Sequence, residues 1–326
     1  MLSRVAEAIY WMSRYLERAE NTARFLEVNW HLSLDEASTQ EFQQWHPLIQ
    51  VTGDTELFAT RYEQPIKQNV IQFLTLDTEY PSSIISCLRA ARENARTVRD
   101  IISIDLWEQI NTLHHLIEDM AKNPEGLNKN PYDFCHDVQM RGMLLGGMAD
   151  DTMPHTEGWH FFRLGRLLER ADKTSRILDV KYFILLPDLN YVGTAYDDIQ
   201  WAALLRTTDA LTAYRQLYGR ITPHQVAEFL MLNQDFPRSV LYCLIKAQQS
   251  LNSIAERATE PDRPHNPAER HLEQLVAKLS FTSIDDIFAE GLHEFTDQLQ
   301  IEMNNIDVAI AEAFFGASFQ VQSQQQ

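Results

Sequence analysis

At 100° per residue, Val5, Ala8, Ile9, Met12, Leu16, Ala19, Ala23 and Leu26 fall on one stripe of a helix, with Glu17, Glu20 and Arg24 opposite. The same 3.6-residue spacing predicts long helices near 1–34, 81–100, 104–121, 155–184, 237–258 and 284–315. Shorter ones are expected near 40–50, 66–76, 132–148, 196–218, 222–233 and 267–280. Breaks fall at 122–131, 185–195 and 259–267, and Pro81 and Pro237 suit the first turn of a helix, where no N–H is needed. The pattern is that of an all-α protein.

The helical pattern occurs twice. Residues 14–28 (RYLERAENTARFLEV) and 166–180 (RLLERADKTSRILDV) are identical at nine of fifteen positions, where chance supplies about one. Downstream, FLTLDTEYPSSIISCL (73–88) meets FLMLNQDFPRSVLYCL (229–244) at a shift of 156, which pairs Pro81 with Pro237 and Cys87 with Cys243. Trp45, Leu48 and Thr52 find Trp201, Leu204 and Thr208 at the same shift. The expected architecture is a helical bundle of two tandem, pseudo-symmetric units, residues 1–150 and 151–319, followed by a disordered Gln-rich tail at 320–326. Gly142, Gly146 and Gly147, ahead of Pro154, read as the connector between the units or as a hinge or lid.

Composition narrows the function classes. Only 11 Gly and 12 Pro occur in 326 residues, which favours long helices over turn-rich β structure. The net charge of −18 argues against nucleic acid and anionic membranes as partners, because both need basic stripes. Three cysteines, far apart and in no CxxC spacing, fit free thiols in a reducing compartment. No run approaches the ~18 apolar residues of a membrane span, and the N-terminus lacks a signal-peptide pattern, so a cytoplasmic location is expected. Phosphate loop, GxGxxG, GxSxG and HExxH are absent. The lone Glu290-Gly291-Leu292-His293 falls short of a di-iron set, so no metal or cofactor is expected. Association into a homo-oligomer stays open.

The candidate chemistry lies in the two Glu-Arg helices. Glu20 precedes Arg24 by one turn, and Asp172 precedes Arg176, the favoured acid-to-base order. Arg18 has Trp11 and Phe25 two turns away on either side, which places its guanidinium at an apolar margin where it needs a carboxylate or a ligand anion. Two readings follow: the charges pair with one another and fix the packing, or they line a polar pocket. A further cluster, Arg96-Thr97-Val98-Arg99-Asp100 with Trp107, Glu108 and Asn111, is a second candidate site.

The runs MLSRVAEAIYWMSRYLERAENTARFLEV, ARENARTVRD and WHFFRLGRLLERADKTSRILDV together resemble the bacterial alpha-E family, across essentially the whole chain. Ser13 departs from the glycine usual in that family, and Gly165 keeps it. The resemblance implies a helical fold built on Glu-Arg motifs. It also implies partners: a circularly permuted ATP-grasp ligase and a transglutaminase-like cysteine peptidase, in systems that make or modify peptides. Carried over as ligand-binding positions are Arg14, Glu17, Arg18, Glu20 and Arg24, then Arg166, Glu169, Arg170, Asp172 and Arg176, with Glu108 and Asn111. Binding of an anionic peptide or carboxylate, catalysis by a buried Glu as general base, and a purely structural scaffold are the functions to separate.

Overall fold

The computed structural model describes residues 1–35, 41–185, 195–258 and 266–316. The expected tail at 320–326 and most of the breaks expected at 185–195 and 259–267 lie outside the described residues. Among the described residues the chain forms helices and no strand. The first half holds α1 (Ser3–Asp35), α2 (Glu41–Thr52), α3 (Thr55–Arg61), α4 (Lys67–Thr75), α5 (Ile84–Thr97), α6 (Ile104–Lys122), α7 (Glu125–Lys129) and α8 (Tyr132–Thr152). The second holds α9 (Glu157–Leu185), α10 (Ala195–Thr207), α11 (Leu211–Leu217), α12 (Pro223–Leu232), α13 (Val240–Ala258), α14 (Pro267–Phe281), α15 (Ile284–Glu290) and α16 (Leu292–Ile310), closed by a π-helical turn at Ala311–Phe315.

Several boundaries differ from the sequence reading, each for a local reason. Pro81 and Pro237 precede their helices rather than opening them. The hydroxyl of Ser83 accepts from Ser86 N and that of Ser239 from Tyr242 N, so the serines cap α5 and α13 two residues after each proline. The helix expected over 284–315 is cut by Gly291, whose φ of +112° is open to glycine. The one expected over 196–218 is cut at Asp209, with φ of +53°. Gly142, Gly146 and Gly147 form no hinge, because α8 runs through all three. A Cβ on Gly142 would stand 2.9 Å from Glu20 Cγ, and one on Gly146 would collide with the guanidinium of Arg166. Two of these glycines therefore bring α8 close to charged side chains of α1 and α9.

Helices α1 and α9 form the centre and cross where Gly165 meets Tyr10 and Ser13. A Cβ on Gly165 would lie 2.5 Å from the carbonyl oxygen of Tyr10, so the missing side chain sets the approach. Helices α5 and α8 pack on α1, and α13 and α16 pack on α9. Packing also runs crosswise, α2 on α9 and α10 on α1, and a single apolar core draws on both halves. Two aromatic groups recur at the 156-residue spacing. Phe58 stacks on Tyr62 (5.1 Å) and Phe73 on Tyr80 (4.1 Å), while Tyr214 stacks on Tyr218 (4.9 Å) and Phe229 packs on Phe236 (4.8 Å).

Because α1 is enclosed, the face carrying Glu17, Glu20 and Arg24 does not meet water. All three are buried, as are Glu169, Asp172 and Arg176 on α9. The polar stripe predicted opposite the apolar one is thus an internal surface.

Candidate functional site

The Glu-Arg motifs meet across the α1–α9 crossing and exchange partners. Glu17 accepts from Nε and Nη2 of Arg170 at 2.7 and 2.8 Å, and from Nε of Arg166 at 3.1 Å. Glu169 accepts from Nε and Nη2 of Arg18 at 2.7 and 2.9 Å, and from Nε of Arg14 at 2.8 Å. Each motif glutamate therefore sits on two arginines of the opposite helix, one of them bidentate, which is the strongest common ion-pair geometry.

Each cluster is completed by different neighbours. Around Glu17, Arg238 from the turn before α13 reaches Glu17 (3.4 Å), Asn21 (3.2 Å) and Glu20 (2.5 Å). Arg24 donates Nε and Nη2 to Glu20 at 3.2 and 2.8 Å, and Nη1 to Asp209 in the turn after α10. Around Glu169 the added cation comes instead from Lys173, whose Nζ lies 3.1 Å from Asp172 and 3.6 Å from Glu169. Arg14 turns its Nη1 to Asp307 of α16, at 2.6 and 2.5 Å to the two oxygens, and the Tyr10 hydroxyl donates to the same carboxylate. Among the described residues Arg176 donates only Nε, to Asp172 at 3.1 and 3.0 Å.

Burial pushes the carboxyls of Glu17 and Glu169 up, but the guanidinium groups outweigh it. Arg170, Arg238 and Arg166 hold Glu17 well below the usual carboxylate range, and Arg18, Arg14 and Lys173 hold Glu169 at about 2. Burial likewise opposes, and Arg176 and Lys173 overcome, the shift at Asp172, which is lowered. Asp307 and Asp54 behave the opposite way: burial wins and both are raised. Asp54 accepts from the Tyr80 hydroxyl at 2.6 Å and lies near Lys173 and Arg176.

The structure thus gathers ten of the twelve sequence-selected positions at the crossing. Glu108 and Asn111 are not among them. Glu108 is exposed on α6, and Asn111 accepts from Arg92 Nε at 2.7 Å, beside Trp107 stacked under Arg92 and Arg99. The residues that sequence reasoning missed are Tyr10, Asn21, Lys173, Asp209, Arg238 and Asp307. Arg238 had a signal, since it stands between the repeated Pro and Ser of the second matched block. Asp307, 293 residues from Arg14, had none. The Glu290–His293 pair is split by Gly291, and His293 pairs with Asp179 at 2.6 Å. Among the described residues no group of three or more His, Cys, Asp or Glu is placed to hold a metal, and no helix is long and apolar enough to cross a membrane.

Comparison with known proteins places this geometry in a family. Uncharacterised proteins of Mycobacterium bovis and Mycobacterium tuberculosis are 25% identical over 308 residues, covering 89% of this chain and 34% of the relative. The chain thus spans about a third of the length of the curated relatives it matches. No solved structure gives a significant match. The family model for alpha-E, described as a predicted alpha-helical domain with a conserved ER motif, matches residues 1–315, and the chain belongs to the alpha-E family.

Proposed function

We propose that the chain is a helical binding module of a system that forms or modifies peptide or amide bonds. It works beside a circularly permuted ATP-grasp ligase and a transglutaminase-like cysteine peptidase, and it holds an anionic peptide or carboxylate. The observation that carries the binding part is the set of rigid arginine forks at the crossing. Their Glu partners fix the guanidinium planes, while Arg166 and Arg176 keep terminal nitrogens with no acceptor among the described residues. In the mycobacterial relatives the matched region is 34% of the chain, which supports a module that works alongside other sequence.

The two units, 1–150 and 151–319, are part of the same proposal. The reciprocal pairing of Glu17 with Arg170 and Glu169 with Arg18, and the aromatic contacts repeated at 156 residues, support it. A cytoplasmic location goes with it, supported by three free, buried cysteines.

Geometry weighs against Glu17 or Glu169 as a general base. Such a base needs an accessible carboxylate with a raised pKa. These two are enclosed, fully engaged by arginines and lowered. Their role in this reading is to clasp α1 to α9, as a scaffold requires, and binding falls to the outer cations.

The test is affinity purification of the tagged full chain from its native cell extract. Recovery of an ATP-grasp ligase or a transglutaminase-like protein is the expected result. Recovery of neither by a chain that circular dichroism shows to be folded overturns the assignment of partners.

A further inference from the structure

One of the differences between the two halves of the crossing lies at the end of the matched motifs. Arg24 and Arg176 hold corresponding positions in the two matched motifs, and each donates Nε to an acidic residue one turn earlier. Arg24 has a second acceptor, because its Nη1 reaches Asp209 in the turn that follows α10. The residue 156 positions before Asp209 is Gly53, in the turn that follows α2. Both turns carry a positive φ, +53° at Asp209 and +77° at Gly53. They also face matching helices, since α10 packs on α1 and α2 packs on α9. Where one turn supplies a carboxylate, the other supplies a hydrogen atom.

Arg176 is consequently left with terminal nitrogens that meet no acceptor among the described residues, although the residue is only 8% exposed. Neither nitrogen is a fully enclosed polar atom without a partner, so both reach solvent at the edge of the core, where an anion can dock on them. Lys173 stands beside it, engaged by Asp172 at 3.1 Å and by Glu169 only at 3.6 Å. Asp54, next to Gly53, lies near Arg176 and Lys173 but does not fill the gap: it accepts from the Tyr80 hydroxyl and forms no ion pair within 4 Å among the described residues.

We propose that Arg176 and Lys173 form a binding site for the carboxylate of a peptide, which occupies at Arg176 the place that Asp209 occupies at Arg24. Resting on the binding-module reading, this names the ligand group and the residues that take it. Asp209 is then an internal copy of the ligand, and the second half of the clasp carries the open site.

The test is titration calorimetry on the full chain at low salt with four probes: free-acid Ala-Ala-Ala, C-amidated Ala-Ala-Ala, C-amidated Ala-Glu-Ala and inorganic phosphate. One free-acid or glutamyl peptide is expected to bind per chain, while the amidated Ala-Ala-Ala is not; the first points to a peptide C-terminus and the second to an acidic side chain. Gly53→Asp offers Arg176 a carboxylate from a turn of positive φ, +77° against +53° at Asp209, a region that aspartate tolerates better than most residues. It should weaken peptide binding roughly tenfold or more, the worth of a charged hydrogen bond, in a chain that circular dichroism shows to be folded. Asp209→Gly should open Arg24 and raise the stoichiometry towards two. Wild-type protein that binds neither carboxylate probe above the amidated control, that prefers phosphate, or that binds unchanged in folded Gly53→Asp overturns the proposal. If the partner proteins are still recovered in that case, the module reading stands and only the site falls.

Discussion

Arg170 of α9 grips Glu17 of α1 through Nε and Nη2, at 2.7 and 2.8 Å, with both side chains buried. Desolvating these charges costs several kcal/mol per ion, and the pair persists because its geometry is bidentate and its remaining acceptor capacity is used by Arg166, Arg238 and Asn21. The same reasoning applies to Glu169 with Arg18 and Arg14.

Removal of one member should therefore be severe. Glu169→Gln leaves Arg14 and Arg18 without their shared counter-charge, and a loss of about 3–5 kcal/mol is expected in urea unfolding. A combined Glu169→Leu/Arg18→Met variant, which removes a carboxylate and a guanidinium together, should cost less than either single change. Equal or greater loss in the double variant would argue that these charges act independently.

Acid should unfold the protein through the same carboxylates. Glu169 titrates at about 2 in the folded chain and at about 4.3 when unfolded, so its stabilisation is complete above the unfolded value. That stabilisation is lost as pH falls from about 4.3 towards 2. Asp54 and Asp307, raised by burial, act with the opposite sign and favour the folded chain as they gain protons. Unfolding free energy measured against pH should fall on acidification, with a shallower slope in Glu169→Gln.

The helix crossing depends on one absent side chain. Gly165→Ala should destabilise by about 1–3 kcal/mol, because its Cβ would press on the carbonyl of Tyr10 in the rigid backbone of α1. Gly147→Ala in α8 is the control, since its Cβ meets nothing within 4 Å and alanine favours helix by up to about 1 kcal/mol. Thermal denaturation of the two variants should move in opposite directions.

The cysteines should be inert. Burial pushes the thiols of Cys87 and Cys243 up to about 12 and raises that of Cys135, and all three are enclosed. No thiol is expected to react with a charged disulfide reagent in the native chain, and all three should react in denaturant.

The sequence by itself determined the helices and the repeated Glu-Arg motifs, while the resemblance to the alpha-E family singled out Arg14, Glu17, Arg18, Arg166, Glu169 and Arg170. Helices and motifs are properties of spacing and residue type, which the 3.6-residue period and the repeated segments carry directly. Even the need of Arg18 for a carboxylate was legible, from Trp11 and Phe25 on its flanks. Only the tertiary structure decided that the carboxylate is Glu169, that α8 is continuous through its glycines, and that Asp209 and Asp307 close Arg24 and Arg14. The physical reason is that a buried charge is neutralised by whatever the packing brings within about 3 Å, and helices far apart in sequence leave no periodic trace of where they meet. The contrast between Gly53 and Asp209 was written in the chain from the start, but it acquired meaning only when α2 and α10 were seen to cross onto opposite central helices.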